Sequence, residues 1–441
     1  MERLALMLLA GSRTVIGMIL YLSARLICRM EIHGLEHTRG PARVYFGISH
    51  KRDLDAMGPV YRILRYRGWR ALGHDVRFAI RGDAFTRGFL SRMVKHPRWF
   101  SWLLRPLAIG PIIRAIGLYP LQDLHIRPAE EWIREYLHEE GDIAIGDILS
   151  NEFIQHLATT SGAPAAMLRT MPLSRLLGWR YHTPIQVYWS YDLFTGVARR
   201  RAEQRIIALA HQSLADVAAW LHAGGSLYGS PEGKLSPDGA ISRISSGFHR
   251  VLRAAPDDTA VIPIAIIYDF MTTRRTQMFV EVAPPIPAAP TLSRVELDQQ
   301  LQTAWRRSMR FTCTQLASGF LMKLCQSEIH TFTSDLLVRD ITAQAVSLVA
   351  EGRLVDKKLL RPRQARKLAQ AYLKFAERRG LVRRSSKSVW TALPLHETTG
   401  VRLGDVSYPQ APLTYAWNEL QDLLSIDKPA DAPETHRQIA G

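Results

Sequence analysis

The feature that most constrains this chain is a pair of short apolar runs, each followed at once by a polar motif. Val44-Tyr45-Phe46-Gly47-Ile48 runs into Ser49-His50-Lys51-Arg52-Asp53-Leu54-Asp55. Far downstream, Gly225-Ser226-Leu227-Tyr228 leads to Ser230-Pro231-Glu232-Gly233-Lys234-Leu235-Ser236. Short apolar runs bounded by turn residues read as buried strands. In open α/β sheets, binding sites lie beyond the carboxyl ends of the strands. Both motifs are therefore expected at the rim of a sheet.

The first motif carries proton-transfer chemistry. Asp53 or Asp55 falls in the first turn of a helix, where the dipole favours a carboxylate. Asp55 can return toward His50 and accept the proton on Nδ1. That fixes the tautomer and leaves Nε2 to take a proton from an alcohol. The plainer reading of the same residues is a strand-end histidine followed by a charged helix cap. In the second motif, Pro-Glu-Gly is a tight turn at another strand end. Glu232 is expected near the same rim, and Gly233 lets the backbone approach a ligand closely. Lys234 adds a cation and Ser236 a hydroxyl. Taken alone, Pro-Glu-Gly is a common surface turn.

Both motifs in this order resemble the glycerolipid acyltransferase family that includes lysophosphatidic acid acyltransferase. That family carries His-x-x-x-x-Asp and, downstream, Phe-Pro-Glu-Gly-Thr-Arg-Ser. Val76 to Arg81 looks like the family's next strand, and Gly117-Leu118-Tyr119-Pro120-Leu121 like its second motif. Val261-Ile262-Pro263-Ile264-Ala265 looks like its fourth, and Phe279 to Ile286 like its closing strand. The resemblance covers roughly residues 43–311. It implies an α/β fold with a central mixed β-sheet flanked by helices. It also implies O-acyl transfer from acyl-CoA or acyl carrier protein to a hydroxyl of a glycerolipid or lysophospholipid. His50 and Asp55 take the catalytic positions. Arg52, Arg81, Glu232, Gly233, Lys234 and Ser236 take the substrate-binding ones. No metal and no resident cofactor are expected, because the thioester is a substrate.

The chain also departs from the family. Asp123 and Leu235 stand where arginines are usual, and Arg52 where serine or threonine is usual. The missing arginines are those expected to hold an acceptor phosphate, which a planar guanidinium binds through two oxygens. Arg52, Arg81, Arg114 and Lys234 are candidate replacements, or the acceptor lacks a phosphate there. Pro-Glu-Gly-Lys-Leu is also similar to the tafazzin variant of the motif, which handles lysophospholipids.

The formal net charge of +17 over 441 residues attracts polyanions, whether anionic lipids, coenzyme A phosphates, acyl carrier protein or nucleic acid. Cys28, Cys313 and Cys325 form neither a disulfide framework nor a metal spacing, which fits a reducing compartment. Residues 4–28 are mostly apolar but broken by Arg13 and Arg25. Arg13 near the middle of a span costs about 2.5–3.5 kcal/mol on insertion scales. Residues 1–42 are therefore read as one or two helices lying in a membrane interface, with a buried core helix as the alternative. The expected location is the cytoplasmic face of a membrane, on anionic lipids.

Between the two motifs, about residues 124–202 read as an insertion. It includes a helix from Glu130 to Glu140 and aromatic residues such as Trp179, Tyr181, Tyr188 and Trp189. These serve either an acyl chain and lipid or a helical pair packed on a core. Residues 312–427 read as a basic helical domain, with a helix from Arg363 to Arg379 and a hairpin from Leu381 to Leu393. Helix, helix, hairpin is also how a winged helix reads. The alternative function is thus a nucleic-acid-binding protein on a catalytically silent core, although nucleic acid is not among the expected partners. Residues 428–441 read as a disordered tail.

Overall fold

A computed structural model describes residues 2–39, 43–49, 51, 55, 58–67, 76–81, 104, 107, 110, 118–121, 127–233, 236, 238–273, 275–327, 330–394 and 411–427. In chain order the strands are β1 Arg29–His33, β2 Val44–Ile48, β3 Val76–Arg81, β4 Leu118–Leu121, β5 Arg127–Pro128, β6 Tyr188–Trp189, β7 Ser226–Gly229, β8 Ala260–Asp269, β9 Gln277–Val282, β10 Thr331–Thr333, β11 Val382–Arg384 and β12 Val389–Ala392. The longer helices are α1 Glu2–Ile27, α2 Val60–Arg67, α3 Ala129–Glu140, α4 Asn151–Ser161, α5 Gly196–His222, α6 Ser246–Arg253, α7 Arg294–Ser308, α8 Cys313–Gln326, α9 Ser334–Ala350, α10 Pro362–Arg378 and α11 Pro412–Leu424. The chain divides into two compact units, Met1–Val76 with Trp220–Gly441, and Arg77–Ala219.

The first unit is built on a mixed sheet in the order β1-β9-β8-β2-β7. β8 antiparallels β9, while β2 runs parallel to both β8 and β7. β2, β7, β8 and β9 are buried at every residue. That is why β2 and β8 read as continuous apolar runs rather than alternating ones. Pro263 costs the β2–β8 ladder nothing: its main-chain groups face the other way, its carbonyl accepting Ala283 N–H at 2.9 Å just past the end of β9. Its register partner Gly47 has a carbonyl that accepts Trp305 Nε1–H at 3.1 Å. α7 brings that indole in. Ser293 and Glu296 cap it reciprocally, and Leu297, Leu301 and Trp305 form its buried stripe.

α1 is one continuous helix with two unlike faces. Gly17, Tyr21, Ala24 and Cys28 recur on one stripe. A Cβ on Gly17 would lie 3.2 Å from the Tyr61 ring of α2, and the Tyr21 and Tyr61 rings are 5.8 Å apart. Val15, Met18, Ile19, Leu22 and Leu26 recur on the opposite stripe and are exposed. Among the described residues, no helix is long and apolar enough to cross a membrane.

Toward the C-terminus, α8 is buried along most of its length. α11 packs on it at Gly319, where a Cβ would come within 2.6 Å of Leu420 Cδ2. Cys28 and Cys313 are buried, and Cys325, whose Sγ–H donates to the Leu393 carbonyl at 3.7 Å, is half-buried.

The second unit contains a parallel pair, β3 with β4, and its own core. Trp132, Ile133, Phe153, Ile154, Leu157, Leu168, Leu173, Leu176 and Ile185 are all buried within it. Trp132 Nε1–H donates to the Trp189 carbonyl at 3.0 Å, and Arg127 grips Glu135 through two bonds of 2.9 and 3.0 Å. Most of the aromatic and apolar content of the insertion is therefore core. Trp179 is the contrast, 83% exposed.

Candidate functional site

β2 delivers the first motif to the rim. Ser49 continues the ladder for one residue: its N–H donates to the Ile264 carbonyl at 3.0 Å, and its Oγ accepts Ile266 N–H at 2.9 Å. His50, Arg52, Asp53 and Leu54 lie outside the described residues, so the structure places neither the imidazole nor the Arg52 side chain. Lys51 and Asp55 flank the gap. Asp55 is fully buried. Its carboxylate accepts Lys51 N–H at 2.5 Å and the Tyr268 hydroxyl from β8. Such charge-assisted bonds are the strong ones, and this pair closes the loop so that the carboxylate returns to the residue after His50. Tyr228 on β7 donates its hydroxyl to the Asp55 carbonyl at 3.4 Å. Burial, and then the Asp55 carboxylate, hold the Tyr228 phenol well above its ordinary pKa, so it remains a donor.

β7 delivers the second motif to the same edge. It pairs in parallel with β2, Tyr45 opposite Leu227, Phe46 opposite Tyr228 and Gly47 opposite Gly229. The chains leaving Ile48 and Gly229 therefore emerge side by side. Pro231 packs on β2: a Cβ on Gly47 would lie 3.1 Å from Pro231 Cγ. Ser230 to Gly233 form a β-turn, with Gly233 N–H donating to the Ser230 carbonyl at 3.1 Å. Proline at the second position and glycine at the fourth suit that turn, and Gly233 has φ +73°. Glu232 is buried, and its Oε1 accepts Ser242 N–H at 2.7 Å. Ser236 is also buried; it donates to the Ala240 carbonyl at 2.8 Å and accepts Gly239 N–H at 2.9 Å. Glu232 and Ser236 thus shape the loop they sit in. Lys234 and Leu235 lie outside the described residues.

Of the predicted site residues, the structure brings Asp55, Glu232, Gly233 and Ser236 to one edge of the first unit's sheet. Arg81 ends β3, opposite Leu121 in β4, and its side chain is outside the description. Arg114 and Asp123 are likewise outside it. Among the described residues no cluster of histidine, cysteine, aspartate and glutamate has the makings of a metal site.

Sequence reading missed a buried polar chain behind the rim. Lys51 Nζ pairs with Glu419 Oε1 from α11 and reaches the Gly239 carbonyl at 3.4 Å. The other Glu419 oxygen accepts from Gln315 Nε2, and Gln315 Oε1 accepts Thr312 N–H at 2.8 Å. α11 also holds the second loop. Asp422 accepts Ile241 N–H at 3.1 Å while pairing with Arg306 at 2.8 Å. Gly239, at φ +94°, passes so close that a Cβ would sit 2.3 Å from the Tyr415 carbonyl. One signal was available: Glu419 falls on the apolar stripe Leu413, Ala416, Leu420, Leu423, where an isolated charge calls for a partner.

β8 carries a buried acid of its own, Asp269, beside Tyr268. Burial raises its pKa from 3.8 to about 6, against the Thr314 hydroxyl that donates to it at 2.5 Å. The folded state thus binds this proton more tightly than the unfolded chain. The contribution of Asp269 to stability therefore falls as pH rises from about 4 to about 6 and levels off above, by about 3 kcal/mol at 1.36 kcal/mol per unit. Asp269→Asn keeps an acceptor for Thr314 and removes the charge. Its urea midpoint is expected above wild type at pH 7 and close to it at pH 4; equal midpoints at both pH values refute this.

No protein-family model matches the chain, and no curated protein matches it. Among solved structures, the 1-acyl-sn-glycerophosphate (LPA) acyltransferase PlsC from Thermotoga maritima is similar over 68% of this chain and 77% of that one, at 11% identity and a TM-score of 0.33. The likeness is remote in both sequence and superposition.

Proposed function

We propose that this protein is an acyltransferase that moves an acyl group from a thioester, acyl-CoA or acyl carrier protein, to a hydroxyl of a glycerolipid or lysophospholipid. One observation carries the reading. The His-x-x-x-x-Asp loop and the Pro-Glu-Gly turn, more than 170 residues apart in sequence, leave adjacent parallel strands at the same edge. His50 Nε2 takes the acceptor hydroxyl's proton while Asp55 orients the ring. The alkoxide oxygen bonds to the thioester carbonyl carbon. The tetrahedral intermediate expels the thiolate, which recovers the proton from the imidazolium. The chain supplies no nucleophile of its own, and no resident cofactor enters. Glu232 and Ser236 hold the turn that walls the acceptor site, and Gly233 lets the backbone approach it.

The test is a thiol-release assay on the full chain, with acyl-CoA or acyl carrier protein as donor. Acceptors are lysophosphatidic acid, a lysophospholipid and a glycerolipid lacking phosphate. Thiol release that depends on an acceptor, with the acylated product seen by mass spectrometry, is expected. Failure with every pairing defeats the proposal. With Asp123 and Leu235 in place of arginines, lysophosphatidic acid is expected to be the poorer acceptor unless Arg52, Arg81, Arg114 or Lys234 holds its phosphate. Each charged hydrogen bond lost costs roughly 1.5–3 kcal/mol. Efficient transfer to it that survives alanine at all four cations would show the phosphate held elsewhere.

Membrane association at the cytoplasmic face belongs to the same proposal. The exposed stripe Val15, Met18, Ile19, Leu22, Leu26 on α1, with exposed Arg25 beside it, supports an interfacial helix. Ile19→Glu/Leu22→Glu is expected to weaken sedimentation with phosphatidylglycerol vesicles at least tenfold, without altering the unfolding midpoint. Unchanged sedimentation would remove α1 from the membrane contact.

A further inference from the structure

The segment from α8 to β12 has a definite topology. Its order is helix, strand, helix, helix, strand, strand: α8, β10, α9, α10, β11, β12. The three strands form an antiparallel sheet in the order β10-β12-β11. This is the arrangement of a winged helix, with α10 in the place of the helix presented to a groove and the β11–β12 hairpin as the wing. We infer that this face binds duplex DNA, α10 lying along the major groove and the wing on the adjoining backbone.

Charge and shape both support that partner. α10 turns Ala365, Leu368, Ala369, Tyr372 and Ala376 into the core. Its opposite stripe, Arg363, Lys367, Gln370, Lys374 and Arg378, is exposed. These positions advance by four, three, four and four residues, so they form one row on a helix. A helix of 17 residues is about 25 Å long at 1.5 Å per residue, and the major groove, about 12 Å wide, admits one helix. Phosphates on both walls suit the cations, and Gln370 at mid-row carries an amide fit for a base edge. From Lys357 to Lys387 there are twelve lysines and arginines and one acid, Glu377. The wing is pre-shaped: Arg384 donates to the carbonyls of Ser386 and Lys387 at 3.1 and 2.9 Å and lies over the Trp390 ring, 5.6 Å from its centroid. That leaves Lys387 exposed at the tip.

A lipid surface fits this face less well. An interfacial helix shows apolar side chains beside its cations, as α1 does. The exposed row of α10 has none. The two acids of α9 are already engaged, Asp335 with Arg366 at 3.0 Å and Asp340 with Gln344. This inference is independent of acyl transfer.

The test uses the full chain and a fluorescein-labelled, mixed-sequence DNA duplex of about 25 base pairs, read by anisotropy. With roughly three to five phosphates neutralised, affinity should fall about 40- to 500-fold between 50 and 200 mM salt. Arg363→Ala/Lys367→Ala/Lys374→Ala should weaken binding at 50 mM salt at least tenfold. It should also flatten the salt slope by about three, with an unchanged unfolding midpoint. Ile19→Glu/Leu22→Glu should leave duplex binding intact. Absence of duplex binding, or binding that the triple variant does not alter, overturns the inference. So does a triple variant that loses phosphatidylglycerol vesicles while keeping DNA, which would make the face a lipid contact.

Discussion

Glu419→Ala is expected to lower the unfolding free energy by about 3–5 kcal/mol. The side chains of Lys51 and Glu419 are 3% and 2% exposed. Two charges taken from water are tolerable only as a pair, and removing one leaves the other buried and unmatched. Gln315 would lose its acceptor at the same time. Domains of this kind are stable by roughly 5–15 kcal/mol in all, so this single change removes a fifth or more of the margin. Lys51→Met/Glu419→Gln should recover at least half of the loss, because the charge and the acceptor requirement are then both met. The measurement is a urea titration at constant slope. A Glu419→Ala midpoint within about 1 kcal/mol of wild type would mean that water reaches Lys51 and that the pair is not buried in solution.

That pair also marks where sequence reading stops. The apolar runs of β2 and β8 are buried along their whole length, so a strand with no alternation was visible in composition alone. The placing of both motifs at one edge followed from the rule that sites in open α/β sheets lie beyond the carboxyl ends of the strands; the parallel pairing of β2 with β7 is what realises it. Lys51 and Glu419 are 368 residues apart, and no local pattern encodes such a contact. A carboxylate on an apolar helix stripe says that a partner exists, without saying which. Tyr268 was likewise hidden: on β8 it reads as one more apolar position, yet its hydroxyl is spent on Asp55. Glu232 and Ser236 read as ligand contacts because of the motif they sit in. In the structure they bond the backbone at Ser242, Gly239 and Ala240. β10 has three residues, too few for a period of two to show, so the sheet beneath the wing was not legible though the hairpin was.

His50→Ala should abolish acyl transfer, and Asp55→Asn should lower kcat by about 10²–10⁴. The second change separates two roles of Asp55. As a structural group, it accepts Lys51 N–H and the Tyr268 hydroxyl. Asparagine keeps an oxygen for the amide, and the Tyr268 hydroxyl can turn to accept from the new NH2. The fold should therefore survive with a modest loss of stability. As the positioning group of the proposed mechanism, Asp55 also holds its charge near the imidazole. A neighbouring carboxylate favours the protonated ring and raises its pKa; removing that charge lowers it. The acid limb of the kcat/KM profile should consequently move to lower pH in Asp55→Asn while the plateau falls. A purely structural aspartate would reduce the amount of active protein and leave the limb where it was. Full activity in Asp55→Asn, or an unmoved limb with a lowered plateau, would assign Asp55 to the loop alone and leave His50 without its proposed orienting partner.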